Sequence, residues 1–254
     1  MFINFILNKY YKHIIQGEMN MRVSKMGMKK IKIDNDLLNI CPKIQLGCIQ
    51  YTADVEKENK ELWKEIDEAI KDIEINMTLD NISKEKNISD SRELYRKIGK
   101  DPHRYRISSE ALIRRILQGK GLYKINNVVD ANNLISIISK LSVGSYDIDR
   151  LGEELTFRIG KKGESYKGIG KDIINTENLP VFSDEFGAYG SPTSDSEKAM
   201  INNDSKNILT VLIAFSDDAN LEHYMDEAVK ILEKYVKAKN IDTYISKGDK
   251  KDNN

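Results

Sequence analysis

Apolar residues recur every three or four positions in several stretches of this chain, and that spacing predicts helices with one buried face. The stretches are 54–75, 90–99, 108–119, 126–141 and 221–236. In the third stretch, Ser108 has the side chain of a good N-cap, and Gly119 or Gly121 ends the helix. In the fourth, regularly spaced apolar residues predict a buried helix and leave a run of asparagine side chains unexplained.

Strands are predicted where short apolar runs are bounded by glycine, proline or charged residues. They flank a turn at Cys41 and Pro42, occupy 155–159, form a hairpin over 180–189 with Gly187 near its apex, and fill 208–215. The last run is almost continuously apolar, which is typical of a central strand. Since helices come first and strands follow without regular alternation, the order favours an α+β fold over a doubly wound one.

Length and charge limit the organisation of the chain and its partners. The 254 residues allow one large domain or one domain with a small appended unit. Lys and Arg together number 40, as do Asp and Glu, so the formal net charge is +0. A chain without an overall basic field can contact nucleic acid only through a local patch.

The cysteines and the chain ends indicate a cytoplasmic protein. Cys41 and Cys48 are the only cysteines, with no second pair or nearby histidine to complete a zinc site, so we expect buried or incidental thiols. The apolar start has no basic region ahead of it and no stretch reaches membrane-spanning length, which argues against secretion and a membrane partner. We expect residues 1–27 to be a dispensable leader or a misassigned start, and residues 241–254 to be a disordered tail.

Familiar hydrolase arrangements find little support in the sequence. Ser108, His103 and Asp101 form a nucleophilic triad only on paper, because closeness in sequence does not establish geometry and an N-cap explains Ser108 better. Neither a Walker spacing nor a metal-binding histidine cluster is present. We therefore expect no metal and no cofactor.

A basic cluster lies between positions 104 and 124, in a segment poor in acidic residues. It consists of Arg104, Arg106, Arg114, Arg115, Lys120 and Lys124. Tyr105 and Tyr123 are interleaved with these cations, as expected of a surface that binds RNA phosphates and stacks a terminal base. The alternative is a solvated helix face along which long side chains lie.

Four fragments together resemble a known family. KDPHRYRISSEALIRR, INNVVDANNLISI, VGSYDID and SDEFGAY are similar to the B3/B4 domain of the β subunit of bacterial phenylalanyl-tRNA synthetase, which also occurs as free-standing proteins. The resemblance covers roughly residues 95–236, and its most specific part is N-N-V-V-D-x-x-N followed by Y-D-I-D. Class II aminoacylation motifs are absent from the sequence. The chain therefore resembles the free-standing form, with 28–240 as one domain and 28–94 as its helix-rich N-terminal extension.

The resemblance implies a fold, a ligand and a set of residues. The implied fold is a mixed or antiparallel sheet flanked by helices, with the aminoacyl end of tRNA in a pocket between its B3 and B4 parts. In the synthetase this domain hydrolyses tyrosine wrongly attached to the phenylalanine tRNA. The residues that match the family pattern are Asn126, Asp130, Asn132, Asn133, Tyr146 and Asp147. Gly144 stands where editing subunits usually have a histidine, and Asp184, Glu185 and Gly187 stand near the place of a glycine-rich loop.

These positions predict the roles of individual residues. A water held by amides, with a carboxylate to accept its proton, suffices to hydrolyse an aminoacyl ester, which is already activated. We expect Glu185 to be that carboxylate and Asn132 and Asn133 to orient the reacting groups. The expected substrate-binding residues are Asn126, Asp130, Tyr146, Asp147 and Gly187. The alternatives are an exposed hairpin-tip acid for Glu185, helix-start hydrogen bonds for the asparagines, and capping of the next segment for Asp147 and Asp149.

The sequence thus supports a tRNA-binding protein of the B3/B4 type, acting in trans as a deacylase of mischarged tRNA. A non-catalytic module that binds an amino acid or a similar small metabolite is the alternative, because the histidine position is Gly144. A third hypothesis is a structural protein that docks through its 54–75 helix. The sequence does not identify the amino acid, the tRNA or the oligomeric state.

Overall fold

The computed structural model describes residues 27–248, so residues 249–254 and all of the predicted leader except Gly27 lie outside the described part. The strands are β1 Ile31–Ile33, β2 Gln45–Thr52, β3 Ser142–Asp147, β4 Leu155–Ile159, β5 Ser165–Lys167, β6 Ile173–Asn175, β7 Pro180–Asp184, β8 Gly187–Gly190, β9 Asn207–Ala214 and β10 Lys239–Lys247. The α-helices are α1 Asn35–Ile40, α2 Lys60–Asn76, α3 Lys86–Lys97, α4 Ser108–Leu117, α5 Asn127–Ser139 and α6 Leu221–Ile231, after which a π-helix spans Leu232–Val236. The predicted α+β fold is confirmed.

Four antiparallel strands in the order β10, β2, β9, β3 form the central sheet. β9 pairs with a neighbour on each side, so Val211 lies opposite both Cys48 and Gly144. Because successive residues of a strand point to opposite faces, the almost continuously apolar β9 is buried on both faces. Leu212 packs among the helices, whereas Leu209 and Val211 pack against a second sheet. The prediction of a central strand over 208–215 is confirmed.

The second sheet is mixed and has the order β1, β4, β7, β8, with β1 parallel to β4 and the other pairs antiparallel. Its inner face packs on the central sheet through Phe157 and Phe182, whose ring centroids lie 4.3 Å apart. The predicted hairpin over 180–189 is confirmed as β7 and β8, and Gly187 supplies a φ of +126° at the turn. β5 and β6 form a separate hairpin.

Helices cover the other face of the central sheet. The amphipathic helix predicted over 54–75 is α2, which begins after Asn59, where the side-chain oxygen accepts a hydrogen bond from the backbone N–H of Leu62 at 3.0 Å. Its apolar residues, including Leu62 and Ile66, are buried inside the molecule. The apolar face of this helix packs inside the molecule, so it is not available for docking to a partner, as the third hypothesis requires.

Three local predictions were wrong. The strand before the Cys41 turn ends at Ile33 and is followed by α1, because Asp34 caps a helix by accepting the N–H of Asp36 at 2.9 Å. Ser108 is the first residue of α4 rather than its N-cap, and its backbone N–H donates to Pro192 O at 2.7 Å. Residues 241–247 of the predicted disordered tail belong to the ordered strand β10, and residues 249–254 lie outside the described part.

β10 was not predicted because most of its side chains are exposed, so its sequence lacks the alternation of apolar and polar residues that marks a strand. Backbone pairing with β2 holds it instead, from Asp242 to Lys247. The hydroxyl of Tyr244 adds two bonds to the chain before β1: it accepts from the Ile31 N–H at 2.7 Å and donates to Lys29 O at 3.0 Å. An edge strand of this kind is set by main-chain hydrogen bonds rather than by its own pattern.

Truncation tests whether β10 belongs to the folded unit. Ending the chain after Ala238 removes a sheet strand and the Tyr244 bonds, so we expect the free energy of unfolding to fall by about 2 kcal/mol or more. Chemical denaturation measures this change. A matched chain that ends after Gly248 should retain full stability, and equal stability of the two truncations would contradict the assignment.

Candidate functional site

The amide-rich start of α5 is occupied by bonds within the protein. Asn126 is the N-cap, and its side-chain oxygen accepts the N–H of Val129 at 2.9 Å. Asp130 is buried and accepts from Trp63 Nε1 at 2.7 Å and from the N–H of Ile125 at 3.0 Å. Burial raises the pKa of Asp130 above its ordinary value, while these bonds oppose the rise. Asn126 therefore caps its own helix, and Asp130 joins α5 to α2.

The two central asparagines of α5 are half buried, and Asn132 contacts β3. Asn132 donates from Nδ2 to Val143 O at 3.1 Å and accepts at Oδ1 from Ser145 Oγ at 3.0 Å. Ser145 in turn shares a hydrogen bond with Thr210 at 2.8 Å. Asn133 follows one position later on the same helix. Asn132 thus continues a polar chain that crosses from the helix layer to the central sheet.

Glu185 lies elsewhere, at the exposed turn between β7 and β8. Its carboxylate accepts the backbone N–H groups of Glu153 at 3.0 Å and Glu154 at 3.2 Å. Its own backbone N–H and these two groups hold the pKa of Glu185 below its ordinary value. Because the second sheet and α5 cover opposite faces of the central sheet, the structure does not bring Glu185 together with Asn132 and Asn133.

A shallow groove of about 530 Å³ runs along the outer face of the second sheet beside Glu185 and Gly187. Arg158 crosses it in a bidentate pair with Glu164, at 2.7 and 2.8 Å. Asp184 at one end is bound by Lys198 and by the backbone N–H of Gly152. Arg158 and Glu164 are therefore paired with each other, and Asp184 is paired with Lys198.

Tyr146 extends from β3 into the space between the two sheets. It is wholly buried, and its ring meets those of Tyr189 and Phe182 edge-on at centroid distances of 5.1 and 5.6 Å. Its hydroxyl occupies a slot between Gly144 and Gly190, since a Cβ on either glycine would overlap with it. A histidine at position 144 would require Tyr146 to move.

The partner of that hydroxyl is Asp195, in the loop that follows β8. Tyr146 donates to Asp195 Oδ1 at 2.9 Å, and the Ser191 N–H lies 3.4 Å from the same oxygen. Burial raises the pKa of Asp195 from 3.8 to about 6, against the opposing effect of these bonds. Asp195 could not be predicted from the sequence because it lies in a mostly polar run, TSDSEKA, that has neither periodicity nor a motif.

The loop that carries Asp195 is anchored from three sides. Pro192 O accepts from the Ser108 N–H at 2.7 Å and from Ser142 Oγ at 3.1 Å, which ties the loop to α4 and β3. The hydroxyls of Tyr95 and Thr193 share a bond at 2.8 Å. The β5–β6 hairpin lies across the loop, and its Ile169 N–H donates to Asp195 O at 3.0 Å. The carboxyl position is therefore fixed by residues distant in sequence.

Asp147 caps the segment that follows β3. It accepts the N–H of Asp149 at 3.1 Å and the hydroxyl of Ser205 at 2.6 Å, at the start of a short 3-10 helix. Asp149 accepts from Asn207. This geometry is that of the capping alternative.

The predicted basic cluster divides into paired and exposed members. Arg115 stacks on the ring of Tyr123 at 3.9 Å, and Lys124 lies 4.7 Å from the Trp63 ring centroid. Arg114 donates to Glu110 at 2.8 Å. Arg104, Arg106 and Lys120 are exposed, and so is Lys124, whose ammonium group also lies 3.8 Å from Glu58.

A family model described as the B3/4 domain matches residues 90–245. The chain belongs to the B3/4 domain family. The phenylalanine–tRNA ligase beta subunit of Fusobacterium nucleatum is 27% identical over 105 residues, which are 40% of this chain and 13% of that protein. The crystal structure of an N-terminal fragment of the phenylalanyl-tRNA synthetase β-subunit from Pyrococcus horikoshii is 12% identical, with a TM-score of 0.42, and the match covers 86% of this chain and 52% of that one. The chain thus spans a small part of the curated relative.

In this B3/4 domain, the residues before the family match belong to the same core. β2 is an interior strand of the central sheet and pairs with β9 along its whole length. Cys41 and Cys48 are buried free thiols, as predicted, and burial raises their pKa values to about 11 and about 12. Within residues 27–248, no group of three potential metal ligands converges and no helix is both long and apolar enough to cross a membrane.

The raised pKa of Asp195 has a consequence for stability. The folded protein binds this proton more tightly than the unfolded chain, so the contribution is complete below about pH 4 and is lost as pH rises through about 6. A shift from 3.8 to about 6 corresponds to about 3 kcal/mol. We expect the stability of wild type relative to Asp195→Asn to fall by up to this amount between pH 4 and pH 7. Denaturation at a series of pH values checks this, and a difference independent of pH would refute it.

Proposed function

We propose that this protein is a cytoplasmic B3/4 domain deacylase, which binds the aminoacyl end of tRNA and hydrolyses the ester of a mischarged tRNA in trans. The observation that carries the proposal is the Asp195 carboxyl, whose pKa of about 6 makes it a proton acceptor near neutral pH. The names of the relatives, which are subunits of phenylalanine–tRNA ligase, support the substrate class.

The chemistry needs one carboxylate and one water. Ionised Asp195 takes a proton from the water as its oxygen attacks the ester carbonyl carbon. The tetrahedral intermediate then collapses, the bond to the ribose oxygen breaks, and Asp195 returns the proton to that oxygen. The products are the free amino acid and the uncharged tRNA.

Tyr146 serves this scheme as a hydrogen-bond donor. Burial, followed by the nearby Asp195 charge, raises its pKa well above the ordinary value, so the hydroxyl keeps its proton. It orients the Asp195 carboxyl and leaves the second oxygen for the water. The scheme requires the β5–β6 hairpin to move away from the loop so that an ester can reach this carboxyl, and such a motion would break the exposed bond from Lys171 Nζ to Ser194 Oγ at 2.6 Å.

Glu185 remains the alternative carboxylate, with Asn132 and Asn133 as orienting groups. The groove beside Glu185 is open to solvent, which favours ligand access. The lowered pKa of Glu185 argues against this role, because a carboxylate that is stabilised by backbone N–H groups is a weaker base. The two carboxylates are therefore matched test positions, because Asp195 is half-buried and Glu185 is exposed.

Deacylation of a panel of aminoacyl-tRNAs, correctly and wrongly charged, tests the proposal. We expect hydrolysis of at least one mischarged member, a loss of about 10²-fold or more in Asp195→Asn, and near wild-type activity in Glu185→Gln. The wild-type rate should rise with pH through about 6. Loss of activity in Glu185→Gln alone would transfer the role to Glu185.

The exposed cations supply the proposed tRNA contact. Arg104, Arg106 and Lys120 flank α4 at its two ends. If they bind the tRNA backbone, log affinity should fall linearly with log salt concentration, and each neutralising substitution should reduce the slope by about one. Filter binding from 50 to 200 mM salt measures this, with exposed Arg150→Gln as the control. A flat salt response would exclude the contact.

The second candidate is a non-catalytic module that binds an amino acid. It is favoured by the Tyr146 hydroxyl, which fills the space beside Gly144 where the family's histidine would project. In that case, no member of the panel is hydrolysed by the folded protein, and calorimetry detects an amino acid that binds wild type and fails to bind Tyr146→Phe or Asp195→Asn.

A further inference from the structure

The first turn of α4 contains a completely buried carboxylate, Glu110, on which three guanidinium groups converge. Arg92 Nη1 lies 2.9 and 3.1 Å from its two oxygens. Arg114 Nε lies 2.8 Å from Oε1, and Arg106 Nε lies 4.0 Å from the same oxygen. Three like charges are thus held around one atom.

The charges in this cluster do not balance. Three guanidinium groups against one carboxylate leave two positive charges, in a chain whose formal net charge is +0. Mutual repulsion of guanidinium groups at this spacing is only partly offset by Glu110. An anion that carries two negative charges would complete the neutralisation.

The cluster also has free donors that face solvent. Arg92 is enclosed, since its Nη1 also lies 3.4 Å from Pro102 O and its Nη2 lies 3.3 Å from His103 Nε2. The Nη groups of Arg106 and Arg114 have no hydrogen-bond partner among residues 27–248. Their side chains are 43% and 23% exposed, respectively. Glu110 therefore fixes the inner ends of two arginines and leaves their outer donors available.

We propose that Arg106 and Arg114, held in place by Glu110, form a binding site for a phosphate group. A guanidinium binds phosphate oxygens through two parallel N–H bonds, and a phosphate, unlike a carboxylate, supplies up to two charges. Glu110 and Arg92 are positioning residues in this site. The inference rests on the proposed function only for the natural source of the phosphate, which would then be two neighbouring phosphates of the tRNA backbone, each with one negative charge.

The proposed site uses only two of the six cations in the basic cluster predicted from the sequence, Arg106 and Arg114. Arg115 and Lys124 are directed to the rings of Tyr123 and Trp63 instead. The site also includes Arg92, which lies on α3 outside the 104–124 segment, and Glu110, an acid within that segment.

Thermal unfolding in inorganic phosphate tests the site without tRNA. At equal ionic strength, we expect phosphate to raise the Tm of wild type saturably above its value in chloride or acetate. Arg106→Gln is the informative variant, because Arg106 is 4.0 Å from Glu110 and makes no close bond that the fold requires. Its apparent Kd for phosphate should be at least about tenfold weaker, whereas Arg150→Gln should match wild type. Equal effects of phosphate and acetate, or equal Kd values for Arg106→Gln and wild type, would overturn the proposal.

A second arm identifies the source of the phosphate. An RNA stem with an unpaired 3′ end is titrated against wild type and Arg106→Gln over a range of salt concentrations. If the slope of log affinity against log salt concentration is less steep by about one in the variant, the site binds the RNA backbone. An unchanged slope, with the inorganic phosphate effect retained, assigns it to a small phosphorylated ligand. Because neither arm measures hydrolysis, failure of the proposed deacylase activity leaves this result intact.

Discussion

The burial of β9 on both faces is the constraint on which the rest of the structure depends. A strand that is apolar on both sides needs two covering layers, and this chain provides helices on one side and a second sheet on the other. The neighbouring strand β3 inherits the same two environments. Ser145 of β3 faces the helices and donates a hydrogen bond to Asn132 of α5. The next residue, Tyr146, points into the space between the two sheets. A buried tyrosine hydroxyl requires a partner, and Asp195 meets that requirement.

The buried acids of this molecule and the half-buried Asp195 are stabilised in different ways, and the difference singles out Asp195. Glu110 is surrounded by arginines, and Asp184 is held by Lys198. Asp130 accepts an indole and a backbone N–H. Asp195 has one hydroxyl and one distant N–H, and the structure gives it no ion pair within residues 27–248. The charged form is consequently the least favoured there, which raises the pKa towards the range useful for proton transfer.

Much of the fold could be predicted from the sequence because it rests on local periodicity. The buried helix α5, the central strand β9 and the β7–β8 hairpin each carry their own pattern. β10 does not, since backbone pairing holds an exposed strand whose side chains carry little information. The same limit applies to α1, whose six residues are too few to show a helical period.

The candidate site was harder to predict because it is assembled from distant segments. The motif residues of α5 were found, yet they bond within the protein, and Glu185 lies on another layer. Asp195 is 49 positions from the tyrosine that binds it, and Glu110 is 18 positions from Arg92. No spacing rule connects such pairs.

The proposed mechanism depends most on the ionisation of Asp195, which can be measured directly. The side-chain carboxyl carbon of Asp195, assigned by comparison with Asp195→Asn, can be followed by NMR as pH is varied. If Asp195 is the proton acceptor, its titration midpoint should be about 6. A midpoint at the ordinary value of 3.8 would show that the carboxylate is already solvated or paired, and would contradict its assignment as the proton acceptor.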